Sequence, residues 1–298
     1  MSGPPPLVKL TAVENNEQQP QYYSSLPFPE PVPEAKPISP DDPPWGSWIA
    51  IVVWMASVLL IAMVPVIFLA PYLLSQGIHT RGQEELARFA TSDPTALLLQ
   101  MAAIIPAHLL TLAIGWAIVT RFKKHPFLET LGWHSGGMLW WHYVLILVGF
   151  FAIAGVITYL VPGEENDMVR ILRSSRMVLY TVAALAVLTA PFVEELIYRG
   201  ILYSPLQRAV GPPLAIVIVT LLFAAVHFPQ YWGTPSTIVL LTLLSLILTV
   251  IRAKTGSLLP CVILHTVFNA IQSLLMILSP EFQPQSTAPQ DVVGFFIF

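Results

Sequence analysis

The chain of 298 residues is 55% hydrophobic and only 10% charged, with a net charge of −3 and a mean hydropathy of +0.69. Because soluble domains carry about 25% charged residues, this composition excludes a soluble enzyme. A nucleic-acid partner is not expected either, since no basic cluster is present, and the single cysteine, Cys261, excludes an intrachain disulfide scaffold. Charge-free runs of about 20 residues can each cross a bilayer, so the chain is predicted to be an integral, multi-pass membrane protein whose first partner is lipid.

The first 46 residues differ from the rest, because they hold twelve of the 28 prolines and eight of the 31 charged residues. Such a segment cannot bury enough apolar surface to fold, so residues 1–46 are predicted to be a disordered, Pro-rich tether. Transmembrane helices are predicted to fill residues 47–176 and 177–280, and residues 281–298 form a C-terminal tail.

The predicted fold is an all-α transmembrane bundle. Seven apolar segments are predicted as spans, with an eighth if Pro191 divides the fourth: Ser47–Leu74, Pro94–Thr120, Met138–Val161, Met177–Gln207, Pro212–His227, Ser236–Ile251 and Leu258–Leu278. Between them, Phe127–Trp133 is expected to lie at the membrane interface and Gly163–Arg176 to be a hydrated loop. In a seven-span chain, six basic residues lie on the same side of the membrane as the N-terminus. Because basic loops are usually cytoplasmic, they predict a cytoplasmic N-terminus. They are Arg121, Lys123, Lys124, Arg208, Arg252 and Lys254.

Only three formal charges lie inside the predicted spans: Glu194, Glu195 and Arg199. Each costs roughly 2.5–3.5 kcal/mol at mid-bilayer, which favours a functional reason for keeping them. Glu195 and Arg199 are four residues apart and can pair on one helical face. Glu194 lies about 100° further round the helix, so its carboxylate is expected to remain free. The structural alternative is an ion pair that staples two helices, with Glu194 protonated.

Two histidines each have a polar or aromatic residue four positions away, on the same face of a helix. Phe223 and His227 are four residues apart, as are His265 and Asn269, so each pair shares a helix face. Interhelical hydrogen bonding is the structural explanation for either pair alone. His108 lacks such a neighbour and is predicted to be a packed or helix-bonded histidine.

Together, a carboxylate, two imidazoles and a carboxamide can activate a water molecule and stabilise an oxyanion. The same donors, Glu194, His227 and His265, could instead hold a divalent metal such as zinc. No aspartate lies in a span and no serine-nucleophile motif is evident. Cys261 is four residues before His265, which makes a thiol nucleophile conceivable, although a lone cysteine in an apolar helix is usually a packing residue.

The sequences EELIYR at 194–199, FAAVH at 223–227 and HTVFN at 265–269 resemble the EExxxR, FxxxH and HxxxN motifs of the CPBP (Abi) family of intramembrane proteases. That family contains the type II CAAX prenyl endopeptidases. The motifs occur in the order of the family, and the similarity covers about residues 177–278.

The resemblance implies a peptidase that cleaves a peptide or a lipidated protein, with 177–280 as the catalytic region. It implies that Glu194 and His227 activate water, that His265 and Asn269 form the oxyanion hole, and that Glu195 with Arg199 orients the first motif. A mechanism without a cofactor is preferred, because no HExxH zinc motif is present. A non-catalytic maturation or immunity factor is the main alternative, and a proton-coupled transporter the third.

Overall fold

The computed structural model describes residues 39–78, 82–161 and 167–282, and these form an all-α protein, which confirms the predicted fold class. The helices are α1 (Ser47–Ser75), α2 (Gln83–Ser92), α3 (Pro94–Thr120), α4 (Phe127–Thr130), α5 (Trp140–Leu160), α6 (Asp167–Ser174), α7 (Arg176–Leu188), α8 (Ala190–Glu195), a π-helix (Leu196–Leu202), α9 (Tyr203–Val210), α10 (Pro212–His227), α11 (Pro235–Thr255), α12 (Leu259–Leu278) and a 3₁₀ turn (Pro280–Phe282).

Six stretches of the described chain are long and apolar enough to cross a membrane, and a seventh apolar helix is shorter. The six are α1, α3, α5, the run from Arg176 to Val210, α11 and α12, whereas α10 has only 16 residues. Their bounds lie within a few residues of the predicted segments because the length of each apolar run sets the length of its helix. The protein is therefore an integral membrane protein with several spans.

Two short helices were not predicted. Helix α2 precedes α3, and α6 lies inside Gly163–Arg176, which we had expected to be a hydrated loop. Helix α6 is amphipathic: Leu172 is buried, and Met168 and Ile171 face the interior, so its charges do not prevent one side from packing.

Pro191 does not separate two spans. Helix α7 stops at Leu188 because Thr189 leaves helical geometry, and Pro191 then occupies the first turn of α8, where its missing N–H is not needed. The chain continues directly into the π-helix and α9, so the run from Arg176 to Val210 remains one candidate span with a local break.

Residues 39–46, at the end of the segment predicted to be disordered, contact the helices. Arg252, itself buried, donates to the Asp41 carboxylate at 2.8 Å, and Arg208 pairs with Asp42. Trp45 is 3% exposed. These partners lie more than 150 residues away in sequence, which explains why local composition did not reveal them. The rest of the predicted tether, residues 1–38, lies outside the described residues, as does the tail after residue 282.

Trp45 also completes the hydrogen bonding of the broken span. Pro205 has no N–H to offer the carbonyl of Ile201, four residues earlier. The indole N–H of Trp45 donates to that carbonyl at 3.0 Å instead. The segment before α1 is thereby fixed to the same run of helix that carries the two glutamates.

Candidate active site

The four residues predicted to be catalytic line one cavity. Glu194 on α8, His227 on α10, and His265 and Asn269 on α12 all face a space of about 380 Å³. Its remaining walls are mostly aliphatic, with Leu97 among them. Three separate helices thus place a carboxylate, two imidazoles and an amide around a volume large enough for a peptide segment with water.

Glu195 points away from this cavity into a buried network. Arg199, which is fully buried, donates from Nη1 to Glu195 Oε1 at 2.9 Å, so the ion pair predicted from their spacing is present. The same guanidinium donates to the hydroxyl of Thr249 and to the carbonyl and hydroxyl of Ser245, both on α11. The network therefore ties the π-helix to α11.

His265 joins this network to the cavity. Its Nδ1 lies 2.7 Å from Glu195 Oε1 and must carry the proton, because a carboxylate oxygen can only accept. The other ring nitrogen, Nε2, lies 3.7 Å from Glu194 Oε2. One imidazole therefore stands between two adjacent glutamates, bonded to one and facing the other.

His227 is fixed in the same way by a different acceptor. Its Nδ1 lies 2.8 Å from the carbonyl oxygen of Phe223, which again assigns the proton to Nδ1 and leaves Nε2 for the cavity. The Phe223 ring packs against both imidazoles, with centroid distances of 4.7 Å to His227 and 6.3 Å to His265. Phe223 thus contacts His227 through its carbonyl oxygen and through its ring.

The amide of Asn269 makes one hydrogen bond within the protein. Its Nδ2 donates to the carbonyl oxygen of Ala186 at 2.8 Å, and its buried Oδ1 has no hydrogen-bond partner. The second N–H of the same nitrogen is left for a ligand. The bond to Ala186 fixes the amide plane, so that N–H has a defined direction.

Residues 176–271, about one third of the chain, match a family model described as "Type II CAAX prenyl endopeptidase Rce1-like". This part of the chain is similar to the type II CAAX prenyl endopeptidases of the CPBP family. Comparison with curated proteins and with solved structures found no significant match. The matched region runs from α7 into α12 and contains all three motifs, so the similarity points to a peptidase that works within a membrane.

His108 is a site residue that the sequence analysis did not identify. It lies on α3, outside the region matched by the CPBP model, and lines the same cavity as Glu194 and His227. Its Nδ1 is 2.9 Å from Thr189 Oγ1. The sequence analysis missed this contact because Thr189 is 81 residues away in the chain. The signal that could have found it is that an ionisable side chain inside an apolar span is functional by default.

The donor types near Glu194 suit zinc, but their placement does not. Within the described residues, no group of three or more His, Cys, Asp or Glu side chains is close enough together to hold a metal ion. We therefore derive no catalytic step through a metal.

Cys261 does not line this cavity, although it is one helical turn from His265. Its thiol is fully buried and lies 3.3 Å from the carbonyl oxygen of Leu248. Its surroundings are those of a packing residue.

Proposed function

We propose that this protein is an intramembrane endopeptidase that cleaves a peptide bond near the C-terminus of a prenylated or otherwise lipidated protein, using a water molecule activated by Glu194 and His227. The observation that carries the proposal is the convergence of Glu194, His227, His265 and Asn269 on one cavity, within a chain that matches CAAX prenyl endopeptidases. The apolar remainder of that cavity suits the aliphatic side chains of a CAAX-type peptide.

In the proposed reaction, Glu194 is the general base. It faces the cavity without a hydrogen bond to another described side chain, so it can accept a proton from water. His227, with Nδ1 held by Phe223, presents Nε2 to the same water and orients it. The water oxygen bonds to the scissile carbonyl carbon, and the carbonyl π pair moves onto oxygen.

His265 and Asn269 are proposed to stabilise the resulting oxyanion. Asn269 would donate its second Nδ2–H, and His265 would donate from Nε2 while Nδ1–H remains bonded to Glu195. In that role His265 carries both ring protons, and the Glu195 carboxylate and the oxyanion balance its charge. Preorganised donors of this kind are worth about 10²–10³ in rate each.

Cleavage of a farnesylated peptide ending in a CAAX sequence, with the purified protein in proteoliposomes, tests the proposal. Glu194→Gln should lower the rate by about 10³-fold or more, because amide oxygen cannot accept the proton from water. Glu129→Gln makes the same chemical change at an exposed position outside the cavity and should leave the rate unchanged. Cleavage by the Glu194→Gln variant at the wild-type rate would refute the role of this residue.

The two rival functions give different results in the same preparation. If the polar cluster is only a scaffold for a maturation or immunity factor, Glu194→Gln and His227→Ala will unfold the protein and the wild type will cleave nothing. A proton-coupled transporter would show pH-dependent uptake into the vesicles without cleavage.

A further inference from the structure

A second cavity, of about 290 Å³, adjoins the site on another side of Glu194. His108, Glu194, His227 and Gln230 line both cavities, whereas His265 and Asn269 line only the larger one. His108 therefore faces both cavities together with Glu194, whereas the proposed oxyanion donors face only the larger one.

The hydrogen bonding of His108 determines which ring nitrogen is free. The Thr189 hydroxyl lies 3.0 Å from the carbonyl oxygen of Leu185, to which it can donate its one proton. We assign that direction, in which the hydroxyl oxygen accepts from Nδ1–H of His108 at 2.9 Å. Nε2 then carries a lone pair. The ring is 6% exposed, and His108 and Glu194 line the same two cavities.

His108 thus has the arrangement already seen for His227 and His265. In all three rings Nδ1–H is held by an oxygen acceptor, and Nε2 is left unbonded. The proposed mechanism uses His227 and His265, but it assigns no group that protonates the leaving nitrogen. The nitrogen of the leaving amine must gain a proton when the C–N bond breaks, since an amide anion is a very poor leaving group.

We propose that His108 is a further catalytic residue, which carries the proton from Glu194 to the leaving nitrogen. This inference rests on the proposed function. In the first step the water proton moves to the Glu194 carboxylate as the water oxygen bonds to the carbonyl carbon. The protonated carboxyl then gives that proton to Nε2 of neutral His108. As the C–N bond breaks, its electron pair stays on nitrogen and takes the proton from Nε2. Glu194 ends as a carboxylate, His108 ends neutral, and one water has been consumed.

The experiment compares two substrates that differ only in the leaving atom. One is the farnesylated CAAX-type peptide, and the other carries a thioester at the same bond, whose thiolate departs without a proton. His108→Asn keeps a side-chain N–H near the position of Nδ1 for Thr189 but has no Nε2. We expect it to lower amide cleavage by about 10²–10⁴-fold and thioester cleavage by less than about tenfold. His125→Asn, on the loop after α3, is the matched control and should change neither rate.

Glu194→Gln separates this inference from the proposed function, because both substrates need an activated water and both rates should fall. Equal losses on amide and thioester in His108→Asn would mean a structural role and would overturn the inference, as would unchanged amide cleavage. His108→Gln, measured in the same way, replaces His108→Asn if that variant does not fold. If the wild type cleaves neither substrate, the proposed function fails and this inference fails with it.

Discussion

Glu195→Gln should lower the free energy of unfolding more than Glu194→Gln does. Glu195 Oε1 accepts from Arg199 at 2.9 Å and from His265 at 2.7 Å, and the Glu195 and Arg199 side chains are fully buried. In Glu195→Gln the guanidinium keeps its charge but loses the anion beside it. Breaking a buried ion pair from one side costs about 3–5 kcal/mol.

We expect the lower end of that range, about 3 kcal/mol, for two reasons. Glutamine keeps an oxygen acceptor at the position of Oε1, and a chain unfolded within a membrane or micelle finds other partners for its polar groups. Such a loss lowers the folding equilibrium constant by about 100-fold. Glu194 makes no hydrogen bond to another described residue and its side chain is 22% exposed to the cavity. Glu194→Gln should therefore change the free energy of unfolding by less than about 0.5 kcal/mol.

The measurement is reversible unfolding in mixed micelles titrated with dodecyl sulfate, followed by helical circular dichroism. The double variant Glu195→Gln/Arg199→Met removes both charges and should recover most of the loss, because no unpaired ion remains. If Glu195→Gln is as stable as the wild type, or the double variant is no more stable than Glu195→Gln alone, the buried network is not held together by this charge pair.

Three further predictions concern the backbone, the N-terminal segment and the cofactor. Gly132→Ala should destabilise the protein more than Gly137→Ala in the same titration. Both glycines have positive φ, which costs about 1–2 kcal/mol for alanine, but of the two only Gly132 would place a Cβ against a backbone oxygen, that of Gly256. Equal losses would contradict this. Trp45→Phe should lower the free energy of unfolding by about 1–3 kcal/mol, because it leaves the Ile201 carbonyl unpaired. Trp48→Phe, at a 71% exposed position, should have little effect. A larger loss at Trp48 would refute the role of the Trp45 hydrogen bond. Dialysis against a strong chelator should leave peptide cleavage unchanged, and loss of activity that one added divalent ion restores would establish the metal-dependent mechanism instead.

The long helices could be predicted because an apolar run in a membrane protein has few other structures available. Pro94–Thr120 and Pro212–His227 have the predicted bounds at both ends. The two short helices α2 and α6 were missed for the opposite reason, since their polar composition is also typical of loops and only their packing distinguishes them. The cytoplasmic position of the N-terminus remains a prediction from the basic residues.

Within the site, contacts along one helix could be predicted and contacts between helices could not. The spacing of Glu195 and Arg199 was enough to predict their pairing, because helical geometry fixes neighbours four residues apart. The bond from His265 to Glu195 depends on how α12 packs against α8, and the sequence carries no direct record of that packing. His108 and Thr189 were missed for the same reason.

The two adjacent glutamates illustrate how a membrane interior limits the design of a hydrolytic site. Lipid offers no hydrogen bonds, so every polar side chain must either be bonded within the protein or face a hydrated cavity. Consecutive helical positions differ by about 100°, which lets one turn of helix supply one residue of each kind. Glu195 turns inward, where it fixes the Nδ1 proton of His265 and balances Arg199, whereas Glu194 faces the cavity. Because the bonded carboxylate orients the imidazole that faces the free one, the geometry of the proposed site is held by groups that take no part in the proposed reaction.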